Sequence, residues 1–183
     1  MSTGPSWYSI LPVAVVAAAV PAPVTATVYL SIEDAQRAMF PGDRFIPHPI
    51  AFTPEQRKAI AQASGAQPYD KVQRIWEARA GDKRAGWFMV DRVIGKHDYI
   101  TYAVALTADG AVRGVEILEY RETYGGEIRN PKWRQQFVGK RPGAALKLDS
   151  DIKNISGATL SSKHVADGVR RLLATYALLL ARA

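Results

Sequence analysis

The sequence predicts an α+β fold: an antiparallel β-meander sheet covered by helices, with a long helix at the C-terminus. Three observations carry that prediction. Four runs between Val72 and Tyr120 are rich in Val, Ile, Trp, Phe and Tyr and are separated by turn residues. Asp109-Gly110, a pair suited to a tight hairpin, lies between the last two runs. Val165, Val169, Leu172, Leu173, Tyr176, Leu179 and Leu180 then recur at helical spacing, an apolar stripe able to cover one face of the sheet.

Ser31, with Asp34 three residues on, opens a short helix over Ile32 to Met39 in the manner of a capping box, and Pro41-Gly42 ends it. Thr53 and Pro54 supply an N-cap and a first helical residue for a second helix, which runs to about Ala63 and stops at Gly65. Strands are expected over Val72 to Arg79, Gly86 to Ile94, Tyr99 to Thr107 and Val112 to Tyr120. Trp76, Trp87, Tyr99, Tyr102, Tyr120 and Tyr124 fit strands or their ends, and most of them should sit in the core. Asn130-Pro131 starts a third helix, Lys132 to Val138, which Gly139 closes. Lys163, Arg170 and Arg171 are expected on the outer surface of the last helix, and His164 in its first turn reads as an exposed residue. With no internal repeat or low-complexity stretch, residues 27–183 read as one domain.

Composition excludes several chemistries. The chain has 183 residues and a net charge of +7, but its basic residues are scattered among acidic ones, which argues for a solvated surface and against nucleic acid. It contains no cysteine, so disulfides, covalent c-type haem, Cys-ligated iron–sulfur clusters and Cys-based zinc sites are absent. A redox role therefore requires an organic cofactor. His48, His97 and His164 lie far apart without metal-ligand spacing, and no metal site is expected. Nor does a Gly-rich P-loop or a Ser/His/Asp order offer hydrolase or kinase chemistry.

The first 26 residues carry no charged side chain. An apolar stretch from Ile10 to Val20 is followed by Pro21 to Ala26, with small residues at Val24 and Ala26 in the positions a signal peptidase requires. Residues 1–26 are read as an export signal, with an uncleaved N-terminal anchor or a mistaken start codon as the alternatives, although no Lys or Arg precedes the apolar stretch. The expected location is periplasmic or otherwise extracytoplasmic, with membrane association if the anchor is kept.

Two segments carry candidate chemistry. Ser156-Gly157-Ala158-Thr159-Leu160-Ser161-Ser162 lies directly before the last helix, with Ser161 or Ser162 placed to be its N-cap. A helix start presents unpaired N–H groups and the positive end of the macrodipole, which suits a phosphate; the same residues also suit a plain tight turn. Glu122-Thr123-Tyr124-Gly125-Gly126-Glu127 follows the hairpin, and its glycine pair serves either as a flexible corner or as a place for backbone amides to approach a planar ligand.

Taken together and in this order, the two segments resemble the FMN-binding domain family, which includes the flavin-bearing subunits of the sodium-pumping quinone reductase and of the Rnf complex. The family's attachment motif, D-x-x-S/T-G-A-T-x-S/T, is met by K-N-I-S-G-A-T-L-S, and its E-T-x-G-x-G-like loop with a following F-x-G-K by Glu122 to Glu127 and Phe137 to Lys140. The resemblance implies FMN esterified through its phosphate to the hydroxyl of Thr159 by a separate Mg-dependent flavin transferase that uses FAD. It further implies that Ser156, Gly157, Ala158, Leu160, Ser161 and Ser162 surround the phosphate. Glu122, Thr123, Tyr124, Gly125 and Gly126 would form a flavin-contacting wall, with Tyr124 its aromatic member. The implied role is an exported electron carrier that works with redox partner proteins; the alternatives are a reductase holding FMN non-covalently and an interaction module of a membrane redox complex without flavin. The chain departs from the motif at Lys153, where the family has an acid; the nearest Asp is Asp151.

Overall fold

The computed structural model describes residues 27–121 and 125–182, so the expectations for the N-terminal segment and for Glu122, Thr123 and Tyr124 lie outside the described residues. The strands are β1 (Thr27–Val28), β2 (Arg44–Pro47), β3 (Ile50–Ala51), β4 (Val72–Ala80), β5 (Lys83–Ile94), β6 (Tyr99–Thr107) and β7 (Val112–Tyr120). They pair antiparallel in the order β1-β7-β6-β5-β4-β2, and β3 pairs with β4 beyond β2. The helices are α1 (Ile32–Met39), α2 (Pro54–Ser64), α3 (Pro131–Arg134) and α4 (Thr159–Leu179).

β4 to β7 form the meander that the alternating runs predict. β6 and β7 have the expected bounds, whereas β5 starts three residues early, at Lys83, across from a bulge at Ala78/Arg79. The tight turn at Asp109-Gly110 is closed by Thr107, whose Oγ1 accepts from Ala111 N at 3.0 Å. The third helix is shorter than expected: α3 is a single turn, and Gln135–Phe137 continue as 3₁₀-helix.

The sheet is buried on both faces, not one. Trp87, Met89 and Val93 of β5 face a core built with Val165, Val169, Leu172 and Leu173 of α4 and with Phe137 and Ile152. The alternate residues Phe88 and Val90 face a second, smaller core closed by Ala35, Met39 and Phe40 of α1. Successive strand residues point to opposite faces, so the near-continuous apolar run of β5 records this double cover.

The surface placement expected for Arg171 is overturned. The residue is 3% exposed and its side chain pairs with Asp91 Oδ2 at 2.6 Å, while Tyr102 donates its hydroxyl to the same oxygen at 3.0 Å. Asp91 sits on the buried face of β5, where an unpaired charge would be costly, and Arg171 supplies the counter-charge from α4. Burial, together with the Asp91 charge, pushes the Tyr102 hydroxyl well above its ordinary range.

Candidate functional site

The start of α4 is shaped by a glycine. Ala158 N donates to Ile155 O at 3.0 Å, closing a turn in which Gly157 has φ +81°, the left-handed conformation a type II turn needs at its third residue. An added Cβ at Gly157 would meet nothing within 4 Å, so this corner faces open space. Helix begins at once: Ser162 N donates to Ala158 O at 2.9 Å, and Ala158 is the N-cap. The N-cap expected at Ser161 or Ser162 is therefore corrected to Ala158, because the Gly157 turn already reverses the chain and the motif's Thr and Ser residues form the first helical turn.

The alanine side chain carries no acceptor, and no side chain caps α4. The amides of Thr159, Leu160 and Ser161 occupy the positions that have no intrahelical partner. They open on a cleft of about 680 Å³, within the roughly 300–1,000 Å³ span of small-molecule sites. Ser156, Gly157, Ala158, Thr159, Leu160 and Ser161 line one side of it. Gly125 and Glu127 line it from the segment after β7, and Lys96 and His97 from the β5–β6 hairpin.

Gly125 is held tightly against the helix start. Its φ is +94°, and a Cβ there would come within 2.6 Å of the Tyr120 hydroxyl and 3.0 Å of Ala158 Cβ. Both demands admit only glycine. Gly126 opens a 3₁₀ turn, Gly126–Arg129, so the glycine pair leads into defined structure and is not a slack corner. Beneath it, the hydroxyls of Tyr120 and Ser161 lie 3.3 Å apart, joining β7 to α4.

Of the motif's hydroxyls, Thr159 is exposed, and its Oγ1 accepts from Asn154 Nδ2 at 3.1 Å. Ser161 is buried against Tyr120 at the cleft wall. Ser162 is fully buried, does not line the cleft and leaves its Oγ without a partner. Side chains two and three residues after Thr159 turn back toward the sheet, as the helical period dictates. Of the two serines, only Ser161 lines the cleft.

Lys96, His97 and Asn154 join the site although no motif points to them. The hairpin is folded over by the Gly95 N–Asp98 O hydrogen bond of 2.7 Å and tied to α4 by His164, whose Nδ1 lies 2.5 Å from Ile94 O. That contact joins residues 70 apart in the chain, a pairing no local pattern reveals. His164 is thus partly buried and partnered, in place of the exposed position expected for it. Among the described residues, no group of His, Asp or Glu is arranged to hold a metal ion.

Comparison with known proteins finds that residues 95–174 match the FMN-binding domain. That segment belongs to the FMN-binding domain family. It contains the hairpin, β6, β7, the Gly125 corner and the start of α4, which are the parts that build the cleft. A Na(+)-translocating NADH-quinone reductase subunit of Vibrio vulnificus is 38% identical over 79 residues, covering 34% of this chain and 31% of that protein. A subunit of the Na(+)-translocating ferredoxin:NAD(+) oxidoreductase complex of Acetobacterium woodii is 24% identical over 127 residues, covering 64% and 61%. The chain thus matches about a third of the length of the quinone-reductase relatives. The crystal structure of Shewanella oneidensis NqrC shares the fold, with a TM-score of 0.51 at 18% identity over 76% of this chain and 81% of that one.

The cleft fits the ligand after which the FMN-binding domain is named. An uncapped helix start offers amide donors to a phosphate, Lys96 adds a cation, and the Gly157 corner leaves the approach open. Among the described residues, no helix is long and apolar enough to cross a membrane.

Proposed function

We propose that the chain is an electron carrier holding FMN covalently, as a phosphodiester on Thr159, outside the cytoplasm. The single observation that carries this reading is the Thr159 hydroxyl: exposed, on the cleft, and in the first turn of the one α-helix among the described residues without a side-chain cap. A negatively charged phosphodiester there lies at the positive end of a helix of 21 residues. FMN, once bound, supplies one- and two-electron redox chemistry.

The chain's own residues bind and orient. The amides of Thr159, Leu160 and Ser161 meet the phosphate, with Lys96 nearby to offset its charge. Gly125 and Glu127, which line the cleft after β7, form the wall beside the ring. Covalent attachment suits a protein that cannot replenish lost cofactor after export, and the uncharged first 26 residues support export. The names of the relatives, subunits of a quinone reductase and of a ferredoxin:NAD(+) oxidoreductase complex, support redox partner proteins on either side of the flavin. A flavin transferase would complete maturation.

Co-production with a flavin transferase, followed by a denaturing gel, tests the proposal. Yellow fluorescence should stay with the protein band, vanish in Thr159→Ala and Thr159→Val, and persist in part in Thr159→Ser, where a hydroxyl survives. Flavin released on denaturation would replace the reading with non-covalent FMN binding. A colourless protein would replace it with a flavin-free module, the reading that Lys153 favours.

A further inference from the structure

We infer that Asn154 is the positioning residue for the Thr159 hydroxyl: its side-chain amide holds Oγ1 in the orientation from which the flavin phosphate is taken up. The inference rests on Thr159 being the attachment site. Its basis is a chain of hydrogen bonds whose direction is set at each link. Ile155 N donates to Asn154 Oδ1 at 2.8 Å, so the carbonyl end of the amide is committed. The NH2 end must then face Thr159, and Nδ2 donates to Oγ1 at 3.1 Å. One lone pair of Oγ1 is thereby occupied, and its own O–H points away from Asn154.

The segment bearing Asn154 is itself anchored. Trp133 Nε1 donates to Lys153 O at 2.8 Å, and Lys153 N donates to Gln136 Oε1 at 2.8 Å. Trp133 is 6% exposed and packs edge-on against the buried ring of Phe137 at 5.2 Å, so the anchor belongs to the core. A rigid path thus runs from α3 through the Lys153 backbone and the Asn154 amide to Thr159. What position 153 contributes to this path is its main chain, which any non-proline residue supplies; its side chain is exposed.

In the transfer, Thr159 Oγ1 attacks the flavin-side phosphorus of FAD. The Oγ1–H bond breaks and its proton is released to solvent, the Oγ1–P bond forms, the P–O–P bridge breaks, and AMP leaves. Donation from Asn154 costs Oγ1 one lone pair but fixes where the other lies, and a fixed attacking atom is worth more than a freely rotating one. After transfer, the same NH2 is placed to donate to the new ester.

The test measures FMN incorporation into the full chain by a flavin transferase at varied protein concentration, with thermal unfolding of each unlabelled variant as a fold check. Asn154→Ala should lower kcat for labelling about tenfold, the loss of one ordinary hydrogen bond in the attacking geometry, with KM little changed. Asn154→Asp keeps the acceptor for Ile155 N but loses the donor, so it should fail to the same degree while staying folded. The ³¹P resonance of the labelled protein should shift in both variants. Wild-type kcat and an unmoved ³¹P signal in Asn154→Asp would overturn the inference, as would a rise in KM alone, which marks recognition. If wild-type protein takes up no label while a known acceptor does, the Thr159 reading itself has failed; labelled wild type with unaffected Asn154 variants sinks only this step.

Discussion

α1, α2 and α3 begin on side chains that satisfy their free amides; α4 does not. Ser31 accepts from Asp34 N at 3.0 Å, Thr53 closes a reciprocal capping box with Gln56, and Asn130 accepts from Lys132 N at 2.9 Å. α4 begins on Ala158. A missing cap costs about 1 kcal/mol. The cost falls on the longest helix, whose Val165, Val169, Leu172 and Leu173 are buried in the main core and make a cap dispensable for folding. The three capped starts serve the fold. The bare one leaves donors facing a cleft, and the difference marks the site more sharply than any single motif residue.

The largest change expected from this contrast comes at Gly125, which presses against the bare start. Gly125→Ala forces a Cβ toward the Tyr120 hydroxyl at φ +94° and should destabilise by about 2 kcal/mol or more, with loss of flavin labelling. Chemical denaturation and in-gel fluorescence read both effects; an unchanged midpoint would show that the corner is not tightly packed. Next comes a pair of opposite sign. Thr53→Ala should cost about 1 kcal/mol without touching flavin uptake, whereas Ala158→Ser should gain up to about 1 kcal/mol by capping α4 and slow uptake by occupying its amides. If the two variants shift stability in the same direction, the capped and bare starts do not differ as argued.

The smallest effect is a pH response confined to α1 and α2. The Ser31 hydroxyl, aided by Arg37, holds Asp34 below its usual range, and a backbone amide together with Thr53 does the same for Glu55. Groups with depressed values contribute stability above the ordinary carboxylate pKa and lose it as pH falls through the folded value. Amide protection at the starts of α1 and α2, measured against the intrinsic exchange rate at each pH, should therefore fall below about pH 4, while the start of α4, which has no acid in its first turn, shows no such limb. Equal acid sensitivity at all three starts would contradict the assignment.

Much of the frame is legible in the sequence, because β4 to β7 are long enough to show a period and Asp109-Gly110 marks their turn. β1, β2 and β3 span two to four residues each, too few to display alternation, and the sequence pattern does not reveal them. The double cover of the sheet is legible in retrospect in the unbroken run Trp87 to Val90, which a one-sided strand would interrupt with polar residues. The segment Ser156 to Ser162 stands out in the chain, but pattern alone places its helix start too late because serine is the commoner N-cap. Local rules favour capping, and the site keeps its amides free. Lys96, His97 and Asn154 reach the site through contacts that depend on the folded hairpin and the α3 anchor, so no spacing in the chain announces them. Arg171 is misplaced by its helical position for a related reason: its partner, Asp91, lies 80 residues away.

The central claim reduces to one hydroxyl. After co-production with a flavin transferase, trypsin should release the peptide 154–163, which contains Ser156, Thr159, Ser161 and Ser162 together. Fragmentation mass spectrometry of that peptide should find the mass of FMN less one water on Thr159 alone. The same mass on Ser161 or Ser162, or an unmodified peptide from a yellow protein, would contradict the account.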